Sequence, residues 1–396
     1  MYTSEELMKI DEQYGAHNYH PLPIVIAKGE GVWVWDVEGK KYMDMLSAYS
    51  ALNQGHRHPR IVKVAHEQLD RLTLTSRAFY NDKLPLFLKK VAELTGMEMV
   101  LPMNTGAEAV ETALKAVRKW GYYVKGVEKD KAEIIVAENN FHGRTITIIS
   151  FSSEAQYRDG FGPFTPGFKM VPYGDAKAIE DAITPNTVAV LIEPIQGEGG
   201  IIIPPDGYLK RVREVTQREK VLFILDEIQT GLGRTGRMFA WEWEGAKPDG
   251  IILGKALSGG ILPVSAFASS KEVLGVFNPG DHGSTFGGNP LGAAVGIEAL
   301  NVLVEENLPQ KAEEMGNYFM EELRKLRNPD IVEVRGRGLL IGVELKKPAR
   351  EYAEKLKEEG LLCKETHEYV IRFAPPLVIS REEIDWALEK IRKVMG

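Results

Sequence analysis

Ile251-Ile252-Leu253-Gly254-Lys255-Ala256-Leu257-Ser258-Gly259-Gly260 is the stretch on which the reading of this chain turns. The three apolar residues predict a short buried strand, and the glycines around Lys255 predict a tight exit from it. A lysine at the end of a buried strand is costly, because burial disfavours the charged ammonium. A lysine whose pKa is lowered in this way becomes an amine nucleophile toward carbonyl groups. On its own, Lys255 reads equally well as a lysine that snorkels to the surface from a strand end.

The neighbouring sequence sets the context. From about residue 60 to 300, strand-like runs at 133–137, 147–151, 188–192, 221–225, 251–253 and 264–268 alternate with helical periods. The helices are expected at 60–72, 84–95, 107–123, 175–183, 207–218 and 290–305. Such alternation predicts an α/β fold with a mostly parallel sheet between helices, and a ligand crevice beyond the carboxyl ends of its strands. Before it, Thr3 and Glu6 have capping-box spacing for a helix over 3–13, and Glu38-Gly39 separates two runs of a hairpin. After it the rhythm changes to α+β: helix 309–327, strands near 331–335 and 339–345, helix 348–359, a strand near 369–373 and helix 380–395. The expected division is an N-terminal segment over 1–55, a large domain over 56–305 and a C-terminal α+β unit over 306–396. The first and last are expected to form one small domain.

Composition narrows the function classes. The 396 residues carry 49 Lys and Arg against 56 Asp and Glu, a net charge of −7, so nucleic acid and anionic membrane are not expected partners. The one cysteine, Cys363, excludes an intrachain disulfide and a Cys-rich metal site, and no metal is expected. The N-terminus lacks the basic and apolar regions of a signal peptide, and no apolar run reaches the ~20 residues of a membrane helix. A cytoplasmic location is expected.

Four further features fall where the crevice should open. Asp226 directly follows the run 221–225. An acid ending a buried strand needs a cation or a donor. It could be a plain helix cap, or the partner of the protonated pyridine nitrogen of pyridoxal 5'-phosphate (PLP). Asn104-Thr105-Gly106-Ala107-Glu108 has capping-box spacing and opens a helix. It is either an ordinary cap or a phosphate cradle of open N–H groups. Gly283-Ser284-Thr285-Phe286-Gly287-Gly288 offers two hydroxyls among glycines, suited to phosphate or simply to a flexible loop. In Asn140-Phe141-His142-Gly143-Arg144, the aromatic can stack on a planar cofactor and Arg144 can take a carboxylate. Equally, Phe141 could be core and Arg144 a surface ion pair. Taken with Lys255, the four point to PLP.

At this point the residues resemble a family. Leu225-Asp226-Glu227-Ile228-Gln229-Thr230-Gly231-Leu232-Gly233-Arg234-Thr235-Gly236 and Gly254-Lys255-Ala256-Leu257-Ser258-Gly259-Gly260 are similar to the class III, ω-amino-group PLP aminotransferases of fold type I. The resemblance spans essentially the whole chain and implies a large domain with a seven-stranded, mostly parallel sheet. Tyr14–Pro23, Ser47–His56, Leu74–Phe79 and Ile371–Leu377 resemble the ornithine-using branch, which passes an amino group from L-ornithine to 2-oxoglutarate. Relatives with N-acetylornithine or 4-aminobutyrate as donor are the alternative.

The resemblance assigns roles. Lys255 is the Schiff-base lysine, Asp226 faces the pyridine nitrogen, Gln229 reaches the ring hydroxyl and Phe141 stacks on the ring. Gly106 and Ala107 offer N–H groups to the phosphate. Ser284 and Thr285 reach the phosphate of a neighbouring subunit, so a homodimer, or a dimer of dimers, is implied. Arg144 binds the remote substrate carboxylate, Tyr19 the α-amino group of ornithine, and Tyr49 helps select ornithine. Arg372 takes the α-carboxylate of glutamate, and Glu198 masks it while ornithine reacts. The other reading of Glu198 and Arg372 is a permanent structural salt bridge. His142 stands where some members of the branch carry Trp. It is placed near the ring face without acid–base work.

Overall fold

The computed structural model describes residues 2–396. In chain order its strands are β1 (Ile26–Glu30), β2 (Trp33–Asp36), β3 (Lys41–Asp44), β4 (Met99–Met103), β5 (Glu133–Ala137), β6 (Phe168–Val171), β7 (Thr187–Ile192) and β8 (Leu222–Asp226). They continue with β9 (Gly250–Leu253), β10 (Ser265–Ser269), β11 (Ile331–Arg337), β12 (Leu340–Leu345), β13 (Leu361–Leu362), β14 (Lys364–Thr366) and β15 (Val370–Phe373). Seven of these form one sheet in the order β4-β10-β9-β8-β7-β5-β6. Only β10 runs antiparallel to its neighbours. The central strands β7, β8 and β9 are buried at every position, which is why they read as unbroken apolar runs rather than alternating ones.

Helices Gly106–Trp120, Tyr208–Arg218 and Pro290–Glu305 match the periods read from the sequence. The capping boxes at Thr3/Glu6 and Thr105/Glu108 both form. The run 147–151 is the exception. It was expected as a strand, but Ile146–Ile149 is a single helical turn. The Thr145 side chain accepts the Ile148 N–H and starts the turn, so a local cap overrides the β preference of an isoleucine-rich run. Two strands of the seven-stranded sheet were not read from the sequence, β4 and β6, and they form its two edges; β1, β13 and β14 of the smaller sheets were not read either. Pro102 sits within β4, as proline can only at an edge, and Met170 of β6 is exposed.

Two four-stranded sheets complete the fold, in the orders β1-β2-β3-β13 and β11-β12-β15-β14. The first joins the two ends of the chain, because β13 pairs in parallel with β3. Among the described residues no helix is long and apolar enough to cross a membrane.

Candidate active site

The carboxyl ends of β4, β5, β7, β8 and β9 share one edge of the large sheet, and the segments leaving them enclose a cavity of about 190 Å³. Gly106, Ala107, Phe141, His142, Asp226, Gln229 and Lys255 all line it. Lys255 follows β9 with an unusual backbone: its φ is 46°, in the left-handed region that disfavours a side chain. Part of its side chain opens onto the cavity, but the ammonium is desolvated. Burial pushes its pKa down to about 8, opposed by the charge of Glu198 and assisted by that of Arg372.

Asp226 ends β8 and is only 4% exposed. One carboxylate oxygen accepts the Ile228 N–H at 3.0 Å, and the other lies 2.6 Å from His142 Nδ1. The His142 side chain is fully buried, and its Nε2 has no partner among the described residues. Burial works against the protonated imidazole, yet the bond and charge of Asp226 outweigh it and raise the pKa. Sequence reasoning placed His142 near the ring face; the structure joins it to Asp226. Glu193, also buried on this cavity, was missed. Its carboxylate accepts the Phe141 and Gly197 N–H groups at 3.0 and 3.3 Å, and burial raises its pKa to about 7. The signal was present, because Glu193 follows the apolar run 188–192 just as Asp226 follows 221–225.

Thr105 caps the helix that begins at Gly106, leaving the first N–H groups of that helix directed at the cavity. A Cβ at Gly106 would lie 2.9 Å from Ile228 Cδ1, so a side chain there would have to push the tip of Ile228 aside. Ser284 and Thr285 are not in the cavity. Ser284 Oγ accepts from Asn104 Nδ2 at 2.8 Å beside the helix start, and Thr285 is exposed.

On the opposite side, Arg372 projects from β15 and is 1% exposed. Its Nη1 donates to Glu198 Oε1 at 3.1 Å and to Gln229 Oε1 at 2.9 Å, and Gln229 Nε2 donates to Glu198 Oε1 at 3.1 Å. The expected pair is therefore a triad closed by Gln229. Tyr49 spans the gap between the two cations. Its ring centre is 5.4 Å from the Arg372 guanidinium and 6.0 Å from Lys255 Nζ. Tyr19 is 81% exposed and lies outside the Lys255 cavity, in an adjoining one that Tyr49 also lines. Arg144 is exposed and stacks 3.7 Å above the Tyr157 ring, next to Phe141.

Tyr49 belongs to Ser47-Ala48-Tyr49-Ser50, four consecutive residues with φ of 45°, 47°, 58° and 73°. A left-handed turn without glycine costs about 1–2 kcal/mol per residue. No sequence signal marked it.

This donor set fits PLP. A desolvated amine, a buried carboxylate braced by an imidazole, open helix-end N–H groups at a glycine packed against Ile228, and the aromatic Phe141 all face one cavity. The fold and the site define a PLP-dependent group-transfer protein of fold type I. The family model described as "Aminotransferase class-III" matches residues 14–395, and the chain belongs to that family, whose members depend on PLP. It is 65% identical over 396 residues, all of both chains, to an ornithine aminotransferase of Geobacillus sp. (strain WCH70). The ornithine aminotransferase of Toxoplasma gondii, whose crystal structure holds PLP at partial occupancy in the active site, is 48% identical. It superposes with a TM-score of 0.98 over 99% of this chain and 94% of that one. An acetylornithine aminotransferase from Elizabethkingia anophelis is also 48% identical, with a TM-score of 0.92 over 100% of this chain and 99% of that one.

Proposed function

We propose that this class III aminotransferase is an ornithine aminotransferase. It moves the δ-amino group of L-ornithine to 2-oxoglutarate, giving glutamate and glutamate 5-semialdehyde, which cyclises to pyrroline-5-carboxylate. The single observation that carries this reading is the Glu198–Gln229–Arg372 triad beside Lys255. A site that accepts ornithine by its terminal amine and then glutamate by its α-amine meets a carboxylate next to the reacting carbon in only one half-reaction. An arginine paired with a partly exposed glutamate suits both. Glu198 neutralises Arg372 while ornithine reacts, and yields it when a dicarboxylate enters.

Lys255, Asp226, Gln229, Phe141, Gly106 and Ala107 are the residues that would hold PLP. When bound, PLP supplies an electrophilic carbonyl and a ring that withdraws charge from the substrate carbon. Lys255 Nζ takes the proton from the carbon bearing the reacting amine and returns it one position away. A pKa of about 8 leaves roughly a tenth of the free amine ready as a base at pH 7. Asp226, braced by His142, would be the carboxylate that pairs with the ring nitrogen. Arg144, stacked but not paired with a carboxylate among the described residues, holds the far carboxylate of ornithine, and Tyr19 and Tyr49 line its path.

In this reading Ser284 and Thr285 serve the phosphate site of a second subunit in a homodimer. The exposed aromatics Phe79, Tyr80 and Phe286 support such an interface, exposed by 73%, 100% and 56%. The β3–β13 pairing supports residues 1–55 and 306–396 as one small domain against 56–305. The buried, unpaired Cys363 suits a reducing cytoplasm.

The likeness to an acetylornithine aminotransferase keeps a second reading, N-acetylornithine as donor. Against it, an acetylated α-nitrogen would crowd the phenols of Tyr19 and Tyr49. Turnover of L-ornithine, N-acetylornithine and 4-aminobutyrate with 2-oxoglutarate decides. L-ornithine is expected to have the highest kcat/KM; a higher value for either rival would displace the proposal.

A further inference from the structure

Arg234 lies in the Gly231–Gly236 loop after β8 and is 0% exposed. Among the described residues no carboxylate hydrogen-bonds to it. Its Nη2 donates to Ser47 Oγ at 3.0 Å and to Asn53 Oδ1 at 2.7 Å, and its Nη1 donates to the carbonyls of Leu339 and Pro375. Burial, with the charge of Arg372 and against that of Asp44, lowers its pKa to about 9, so the guanidinium stays charged at neutral pH. A buried cation held only by neutral acceptors is an expensive device. Its four bonds tie together three segments, and one of them is the strained turn Ser47–Ser50.

That turn is held from its other end as well. Asp44 accepts the Leu46 and Ser47 N–H groups, each at 2.8 Å, and is itself fixed by His56 Nε2 at 2.7 Å. Ser47 Oγ also donates to the Ala374 carbonyl, two residues along the chain from Arg372. The output of the turn is Ser50, whose Oγ accepts from Arg372 Nη2 at 3.2 Å, with Tyr49 beside it. Glu198 and Gln229 accept from Nη1 and Ser50 from Nη2, so when Glu198 departs Gln229 and Ser50 stay on Arg372, and Ser50 is the one that fixes the Nη2 arm.

We propose that Arg234 is a positioning residue for the acceptor substrate: it keeps the left-handed turn wound, and through Ser50 it holds Arg372 in place during the half-reaction in which Arg372 must bind a carboxylate. This rests on the transamination reading above. While ornithine reacts, Glu198 and Gln229 pin Arg372 by themselves, so the bracing matters less there.

The test uses the PLP-loaded enzyme with L-ornithine and 2-oxoglutarate, comparing wild type, Arg234→Lys, Ser50→Ala and the double variant. A lysine keeps the charge but lacks the fork that bridges Ser47 to Pro375. In each single variant KM for 2-oxoglutarate is expected to rise about fivefold or more, the loss of roughly one bond to a charged group, while KM for L-ornithine changes clearly less. The double variant should be no worse than the poorer single one, because both act through one contact. A merely structural role lowers the active fraction and leaves both KM values unmoved. Equal rises for both substrates, unchanged KM values, or additive effects in the double variant would overturn the inference. If Arg234→Lys does not accumulate folded, Ser47→Ala removes the hydroxyl that Arg234 grips and must show the same split. Wild-type enzyme inactive with this substrate pair would refute the functional reading instead, so the two failures are distinguishable.

Discussion

Glu198→Ala separates a switching ion pair from a fixed one. Arg372 is 1% exposed and Glu198 26% exposed, with 3.1 Å between Nη1 and Oε1. A hydrogen bond to a charged group contributes about 1.5–3 kcal/mol, and the exposure of Glu198 puts this one at the lower end. In the wild type each dicarboxylate must displace that bond before it reaches Arg372. Without Glu198 the displacement cost vanishes. KM for 2-oxoglutarate should fall about tenfold, since ~1.4 kcal/mol corresponds to one decade. The ornithine half-reaction should move the other way. Its reacting end brings no carboxylate, so Arg372 remains a buried cation with only Gln229 and Ser50 as neutral acceptors. A slowing of roughly tenfold or more follows from leaving a buried charge unpaired. Rapid-mixing absorbance of the bound cofactor, with L-ornithine or L-glutamate as the only substrate, measures each half separately. Opposite changes support the switch. If both halves slow by the same factor, the pair is a permanent structural bridge and the reasoning fails.

Lys255→Ala should lose turnover by a thousandfold or more, on the order of a lost nucleophile and base together, while PLP still binds, as read from visible absorbance after dialysis. The PLP-free Lys255→Met protein should be more stable than the PLP-free wild type by about 3 kcal/mol at pH 7, because the folded pKa lies near 8 against 10.5 for the free side chain. The sign follows from proton binding: the unfolded lysine holds more protons between those values, so the wild type gains stability as pH rises from 8 to 10.5 and the gap closes there. Urea midpoints across that range check it. Gly106→Val places branched atoms where even a Cβ comes within 2.9 Å of Ile228, and should weaken PLP binding at least tenfold in a fluorescence titration. Arg144→Lys removes the planar fork and should raise KM for L-ornithine about tenfold, with a smaller effect on kcat.

Much of this molecule could be read locally. Asp226 directly after a fully apolar run, and Lys255 one glycine beyond another, stand out because a charged residue there breaks the pattern of the run. Thr105 with Glu108 marks a helix start because a capping box involves four consecutive positions. The same locality explains the errors. Ile146–Ile149 has a strand's composition, but the Thr145 cap decided for a helical turn. β4 and β6 are edge strands whose partners, not their own side chains, define them.

By itself the sequence determined the parallel βα rhythm, the amine and carboxylate at adjoining strand ends, and the chemistry those two groups share. These rest on burial periodicity and residue type, both local properties. Only the tertiary structure decided that His142 braces Asp226, that Gln229 closes the Glu198–Arg372 pair from 143 residues away, and that Arg234 and Ser47, 187 residues apart, hold a left-handed turn over the site. Each of these contacts depends on where the sheet order and the β3–β13 closure bring distant segments together, and no local preference of the chain encodes that distance.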